Sequence, residues 1–403
     1  MHVSIKTISV GKGDCIAFQL SNNQEHYNIL IDCGDFNDKV RKLVCEDFGK
    51  HIDLMVATHI DDDHIAGLGA MLEDAEMRDL VIEKIWFNCY QNVGRNDVKL
   101  TDGQRVTIQN LESKLHKSIF KEMEDIAEKD AALLSRNILK NNDWVAGWNR
   151  EPILSGECLP ICEGRLGELK VFCPTKTDQA RIEKKYEELF LSEMMEDQFV
   201  PFDDSSYIYE ILNRLQAYDQ YREPNVTDSA YTPITREVVE EYANSKQKYD
   251  TSDENRSSIS FVWEHNGHKI LFAGDTSHSN ILKGLKELYP DAGSLIFDAV
   301  KVPHHGSEHN ISNKLLKFID SPHFIITGAE EDYRPSPQTL SRIIVRELPQ
   351  NEDATSIFPI RTIHCNTLAE QLKPFLNSDN AVKEDLHFNI DLNDVNLCYD
   401  AEI

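Results

Sequence analysis

Two strand-rich stretches separated by a long polar one predict a mixed fold, of the α/β or α+β class. Residues 1–88 alternate short apolar strands with helices; 89–255 are polar, charged and mostly helical in pattern; strand patterns resume from 256. At 403 residues the chain suits two or three average domains, or one large unit carrying an insertion. It is long enough to bury a sizeable core without covalent staples.

Residues 3–10 alternate apolar and polar at period two and stop at Gly11. Residues 16–20 form the next strand, 21–24 turn, and 27–32 form a strand ending on Asp32. Residues 39–48 read as an amphipathic helix with Val40, Leu43 and Val44 on one face. The apolar run 54–58 predicts a strand buried on both faces. A helix over 67–75 is expected behind the loop after it, then a strand over 81–87. In the polar middle, helical patterns at 119–138 and 180–194 surround a strand-like island at 169–174, which is expected to join the main sheet. The acidic 193–204 and the loop-rich 218–254 lack strong apolar periods. The block 89–255 therefore reads as an insertion covering an active-site mouth, and the alternative is a second independent domain. Further strands are expected at 258–263, 269–273, 299–302 and 324–328, with a helix around 280–288. Ser336-Pro337 starts another helix, serine as cap and proline first, and 360–364 reads as a last strand before the tail.

The chain carries 42 basic and 69 acidic residues, a net charge of −27. That balance disfavours a grip on long duplex DNA. No apolar run approaches the roughly 18 residues of a membrane span, and residues 1–5 lead straight into a strand without a signal-peptide pattern. Nine scattered cysteines, an odd number, suit a reduced protein, so the expected location is the cytoplasm with no membrane partner.

Thr58-His59-Ile60-Asp61-Asp62-Asp63-His64 is the densest chemical signal. Five imidazole or carboxylate groups fall within six residues, directly after the apolar strand 54–58. An acidic triplet alone would read as a solvated loop. Histidines at both ends, a strand before and the small residues Ala66-Gly67-Leu68-Gly69 after favour a divalent cation site.

This His-x-Asp-x-Asp-His spacing resembles the signature of the metallo-β-lactamase superfamily, usually His-x-His-x-Asp-His. Three further blocks stand in that family's order: the strand ending Asp32-Cys33-Gly34, the strand ending Ala273-Gly274-Asp275, and Lys301-Val302-Pro303-His304-His305-Gly306-Ser307. Aspartate at the second histidine position, the His-His-Gly-Ser block and Gly11-Lys12-Gly13-Asp14 are similar to the branch that includes the hydrolase domain of the bacterial competence DNA-uptake channel (ComEC-like). The resemblance covers about residues 1–88 and 256–345. It implies an α+β fold, a four-layer αββα sandwich with a mainly helical insertion. Residues 1–88 would be the N-terminal half of the hydrolase domain, 89–255 the insertion, and 256–403 the C-terminal half and tail.

Carried over block by block, the resemblance implies that His59, Asp61, Asp63, His64, Asp275 and His305 hold two divalent cations. Asp275 would bridge them, and Asp63 would serve catalysis as well as binding. His304 is the alternative to His305 as ligand and otherwise the general acid. The family's third histidine block is missing; Asn255 stands there as a candidate ligand, and Asp32 more plausibly orients a ligand histidine. Oxygen donors in the first site shift preference from Zn²⁺ toward Mn²⁺, with Mg²⁺ also suited; two ions are expected, and the first site is the one open to partial occupancy. Lys301 is a candidate for stabilising a phosphate oxyanion, against a surface lysine at a strand end. Ser307, His309 and Arg334 are candidates for substrate contact.

The leading expectation is a phosphodiesterase or nuclease that uses a water activated by two metals. Its substrate would be a nucleotide or short single-stranded nucleic acid, with a protein partner accommodated by the insertion. The alternatives are a hydrolase of non-phosphate esters, thioesters or lactones, and a regulatory binding module with a degenerate metal site.

Overall fold

Alternating apolar residues on both sides of two sheets build a sandwich with a helical layer on each outer face. The computed structural model describes residues 1–11, 13–89, 131–182, 184, 233–328, 334–350 and 355–400. The first sheet is built from β1 (His2–Thr7), β2 (Cys15–Ser21), β3 (His26–Cys33), β4 (His51–Ala57) and β5 (Val81–Phe87). The second takes β6 (Cys158–Pro160), β7 (Glu168–Cys173), β8 (Ser260–His265), β9 (His268–Phe272), β11 (Ala299–Lys301), β13 (His323–Ile326), β14 (Arg361–Cys365) and β15 (Phe388–Asp391). Short β10 (Leu295–Ile296) and β12 (Ile319–Asp320) pair by themselves, and β16 (Asn396–Asp400) returns to the first sheet.

The sheet orders are β16-β1-β2-β3-β4-β5 and β15-β14-β13-β11-β9-β8-β7-β6. Strands β3 to β5 run parallel, as do β9, β11, β13, β14 and β15. Parallel strands need covering on both faces. Between the sheets lie Val3, Ile5, Phe18, Ile29, Leu54, Val56, Leu169, Val171, Phe261, Trp263, Ile270 and Phe272. The opposite side chains of the first sheet, Leu30, Met55, Ile82 and Ile85, pack on α1 (Asp38–Lys42), α2 (Asp62–Glu73), α3 (Ala131–Leu139) and α4 (Asn142–Gly147). Those of the second, among them Phe172, Val262, Leu271 and Phe324, pack on α5 (Arg236–Ala243) and, after the short α6 (Asp253–Arg256), on α7 (His278–Leu288), α8 (Asn313–Leu316) and α9 (Pro337–Ile344). The αββα layering that the resemblance implies is what the chain forms.

Several local expectations change. The helix expected at 67–75 begins at Asp62, so Asp63 and His64 sit on its first turn and not on a loop. Asp61 is the cap residue there, and carboxylates in the first turn suit the positive end of the helix dipole. The expected helix at 39–48 is α1 followed by a π-helical turn, Leu43–Asp47. The strand at 360–364 is not the last, because β15 and β16 follow and β16 pairs antiparallel with β1. The island at 169–174 is β7, in the second sheet beside β8. Ser336 caps α9 as the sequence implies, accepting from the Thr339 amide, with Pro337 in the first turn. The acidic stretch 193–204, and most of the helical patterns at 119–138 and 180–194, lie outside the described residues. Among the described residues, no helix is long and apolar enough to cross a membrane.

Phe18 ties the two sheets together, its ring edge-on to Trp263 at 5.6 Å and 5.1 Å from Phe272. Phe18→Ala is expected to cost about 3–5 kcal/mol of unfolding free energy, from lost burial plus the cavity left behind. Urea denaturation with an unchanged m-value is the check.

Candidate metal centre

The C-terminal ends of parallel strands from both sheets meet at one edge, and there the chemistry collects. Asp32 lies at the end of β3, His59 just beyond β4, Asp275 beyond β9, His304 and His305 beyond β11, and Thr327 beyond β13. Strand ends of this kind are where open parallel sheets place ligands. The turn before β2 locks onto this edge: the Asp14 amide donates to the Asp63 carbonyl at 3.0 Å. A methyl on Gly13 would lie 1.6 Å from that same oxygen, and its φ of +88° lies in the region that favours glycine, so no larger residue fits. Asp32, His304 and His305 also take positive φ values, of 55°, 51° and 50°. Such backbone is tolerated only where the surroundings hold it.

The proton positions follow from the hydrogen bonds. Asp32, acting as a carboxylate, accepts the Thr58 amide and the Thr58 hydroxyl, each at 2.7 Å, and faces His64 Nδ1 at 2.8 Å. His64 therefore carries its proton on Nδ1 and leaves the Nε2 lone pair free. The Thr58 hydroxyl, having donated to Asp32, can only accept from His59 Nδ1 at 3.0 Å, so His59 also turns a bare Nε2 inward. His305 Nδ1 donates to the Thr327 carbonyl at 2.9 Å. His304 Nδ1 faces Asn310 Oδ1 at 3.0 Å and Asp250 Oδ2 at 3.3 Å, both acceptors. Four imidazoles thus anchor one proton on Nδ1 and turn Nε2 to the centre, where a cation binds it once any second proton has left.

Asp275 stands among them, its Oδ2 lying 3.4 Å from His64 Nε2, 3.6 Å from His305 Nε2 and 3.7 Å from His304 Nε2. His305 Nε2 is 3.0 Å from Asp63 Oδ2, across 242 residues of sequence. His59 Nε2 is 3.4 Å from Asp61 Oδ2. Among the described residues, His59, His64 and Asp275, and likewise Asp63, His64 and His305, hold their ligand atoms within 4.8 Å of one another. The structure therefore brings together all six candidate ligands, with His304 bordering the set on the Asp275 side.

The pocket fits cations in a second way. Nε2 of His59 and of His64, Oδ1 of Asp275 and Oδ1 of Asn255 are buried with no protein hydrogen-bond partner. Burying an unsatisfied polar atom costs about 1–3 kcal/mol, a cost a coordinated cation removes. Burial alone would raise the Asp275 carboxyl, but His64, His304 and His305 hold it well below the usual carboxylate range. Burial likewise would lower His305, yet Asp275 and Asp14 push it up to about 9. His64 is raised well above its ordinary value by Asp275, Asp63 and Asp32, against its burial. Protons and cations compete for the same lone pairs.

The remaining candidates fall into two groups. Lys301 is neither a surface lysine nor open to substrate: it is 2% exposed, pairs with Asp14 Oδ2 at 2.7 Å and donates to the Val302 carbonyl. Burial would raise Asp14, but Lys301 and His305 hold it far below the ordinary range, and its other oxygen faces His305 Nδ1 at 3.2 Å. Lys301 thus acts on His305 through Asp14. Ser307 is buried; its amide donates to the His304 carbonyl and its hydroxyl accepts from the His309 amide, which makes it part of the turn that fixes His304. His309 is half-buried. Arg334 is partly buried, two residues before Ser336, whose amide donates to the Gly306 carbonyl at 3.0 Å.

Sequence reasoning missed Asp250. Its Oδ2 accepts from Asn255 Nδ2 at 2.7 Å and Asn310 Nδ2 at 2.8 Å, beside His304. A single aspartate in a polar stretch carries no periodic or motif signal.

Two outcomes follow from this geometry. Because His305 holds a proton up to about pH 9 in the cation-free site, affinity for Mn²⁺ or Zn²⁺ should rise as pH increases toward 9. Uptake near pH 7 should release protons, measurable by calorimetry in buffers of different ionisation enthalpy; pH-independent binding would contradict the arrangement. Asp32→Asn, which cannot accept all three donors, should weaken cation binding about 10–100-fold while far-UV circular dichroism is retained.

Residues 10–122 match the family model described as Metallo-beta-lactamase superfamily. No curated protein matches the sequence. The matched stretch contains Asp14, Asp32 and the His59–His64 block; Asp275, His304 and His305 lie beyond it and reach the site through the fold. The match and the layered architecture agree on a metallo-β-lactamase-like sandwich with clusters of histidine and aspartate that could hold a metal ion; the superfamily the matched model describes is made up mostly of metal-dependent hydrolases.

Proposed function

We propose that the chain is a metal-dependent phosphodiesterase or nuclease of the ComEC-like kind, acting on a nucleotide or a short single-stranded nucleic acid. The observation that carries the reading is the convergence of inward-turned imidazole Nε2 atoms and carboxylates around Asp275, several without protein partners. His59, Asp61 and Asp275 would hold one divalent cation, with Asn255 Oδ1 as a further oxygen donor. Asp63, His64, His305 and Asp275 would hold the other. Such ions, when bound, supply Lewis-acid polarisation of an ester oxygen and an activated water nucleophile.

The residues around them take defined parts. Asp32 and Thr58 fix the tautomers of His64 and His59. Asp14, itself held by Lys301, orients His305. Asp250 and Asn310 orient His304 by accepting its Nδ1 proton, so that a second proton on Nε2, carried as an imidazolium beside Asp250, is the one a leaving-group oxygen would take. Lys301 is thus a positioning residue and not an oxyanion donor. Ser307 and the Arg334 segment set the wall of the cleft, with His309 and Arg334 as the substrate contacts. The −27 net charge favours a small or short substrate over long duplex DNA. Residues 1–88 and 256–403 would form the two halves of the hydrolase unit, with 89–255 as the inserted lid and a surface for a protein partner.

Hard oxygen donors at Asp61 and Asn255 favour Mn²⁺ and Mg²⁺ relative to an all-histidine site, although Zn²⁺ keeps the higher intrinsic affinity. Mn²⁺ should therefore support cleavage of bis-p-nitrophenyl phosphate, single-stranded DNA or RNA better than Zn²⁺, and Asp61→His should move the preference toward Zn²⁺. The proposal fails if the wild-type protein is most active with Zn²⁺ on a lactone or thioester and inert towards every diester. Asp63→Ala and His64→Ala should each lower turnover by about 10³-fold or more, together with metal content by elemental analysis. Near wild-type turnover with full metal content in either variant would remove these residues from the site.

A further inference from the structure

Tyr249 is the most exposed large apolar side chain among the described residues and the one aromatic in that group, at 66% exposure. Exposed tyrosines are ordinary in isolation. This one is fixed from two sides of the candidate centre. Its chain neighbour Asp250 touches His304, whose Nε2 is 3.7 Å from Asp275. Its ring lies 5.2 Å from the ring of His278, at 45°. His278 is the first residue of α7, three positions beyond Asp275. The ring is therefore exposed, tilted against an imidazole, and carried between two chain segments that each lead to the centre.

His278 adds a second, independent observation. It is 8% exposed, and its Nε2 is buried with no protein hydrogen-bond partner. Burial, with Arg342 and Lys314 nearby, keeps this imidazole neutral. An exposed aromatic face backed by a buried, neutral imidazole is a surface on which a nucleobase can stack.

We propose that Tyr249, backed by His278, forms a nucleobase subsite that holds the base of a nucleotide whose phosphate lies at the Asp275 centre. This rests on the phosphodiesterase reading and narrows it: the preferred substrate carries a base next to the scissile phosphate. Stacking tolerates any base, so the subsite selects nucleotides over other phosphate esters and not one base over another.

The test is calorimetric binding of adenosine 5′-monophosphate and of ribose 5-phosphate to the full chain loaded with Mn²⁺. The wild type should bind the nucleotide about tenfold tighter or more. Tyr249→Ala should abolish that difference, Tyr249→Phe should preserve it, and His278→Ala should shrink it. Equal affinities in the wild type, or a difference that survives Tyr249→Ala in a protein with native circular dichroism, would overturn the subsite. Nucleotide preference without hydrolysis of any diester would leave the subsite standing and refute the hydrolase reading. Diester hydrolysis without nucleotide preference would do the reverse.

Discussion

The Asp32 carboxylate sets the constraint on which the centre depends. It accepts from the Thr58 amide and hydroxyl and faces His64 Nδ1, in backbone held at a φ of 55°. An ionised carboxylate only accepts. That one-way character propagates: His64 must place its proton on Nδ1, and the Thr58 hydroxyl, already spent as a donor, forces the same on His59. One buried aspartate thus decides the chemical form of two imidazoles that it does not place by itself. Its position, at the end of a strand buried on both faces, explains why it can be held so firmly.

The second sheet repeats the logic with different parts. His305 is fixed by the Thr327 carbonyl and by Asp14, and Asp14 is balanced by Lys301. His304 is fixed by Asn310 and Asp250. Every imidazole at the centre is thus oriented from behind by an acceptor, and His305 is held from both sheets, because Asp14 immediately precedes β2 of the first. The inter-sheet core around Phe18 and Trp263 sets the distance between the two sides. A shift of about 1 Å between the sheets would separate His305 from Asp63 and disperse the cluster.

What was legible in the sequence was whatever is contiguous or strand-terminal. The His59–His64 block, Asp275 and the double histidine end apolar runs, and runs of that kind announce both the strand and its exit point. The start of α2 was hidden because Asp61, Asp62 and Asp63 look like a loop until the helix dipole they complement is considered. Strand β16 was missed because Asn396–Asp400 shows only a short alternation, and its pairing with β1 spans nearly the whole chain. Lys301 read as an oxyanion donor or a surface lysine because its partner, Asp14, sits in a turn far away in sequence. Asp250 gave no local signal; only the fold brings it to His304.

The charge of the centre connects these observations. Asp14, Asp32, Asp63 and Asp275 meet at one strand edge, and three of them are almost fully buried. Lys301 compensates Asp14 from within the protein. Among the described residues, no lysine or arginine performs that service for Asp63 or Asp275; histidines face them instead, and these carry charge only when protonated. The protein therefore balances these two carboxylates with protons that a cation can displace, while Asp14 is paired with a lysine. A fold selected only for stability would have little reason to treat the two cases differently, since isolated buried charges are costly. The difference is what a site needs if its missing charge is to be supplied by an exchangeable ion, and it links occupancy to stability by mass action: the ion binds the folded form and raises the cost of unfolding.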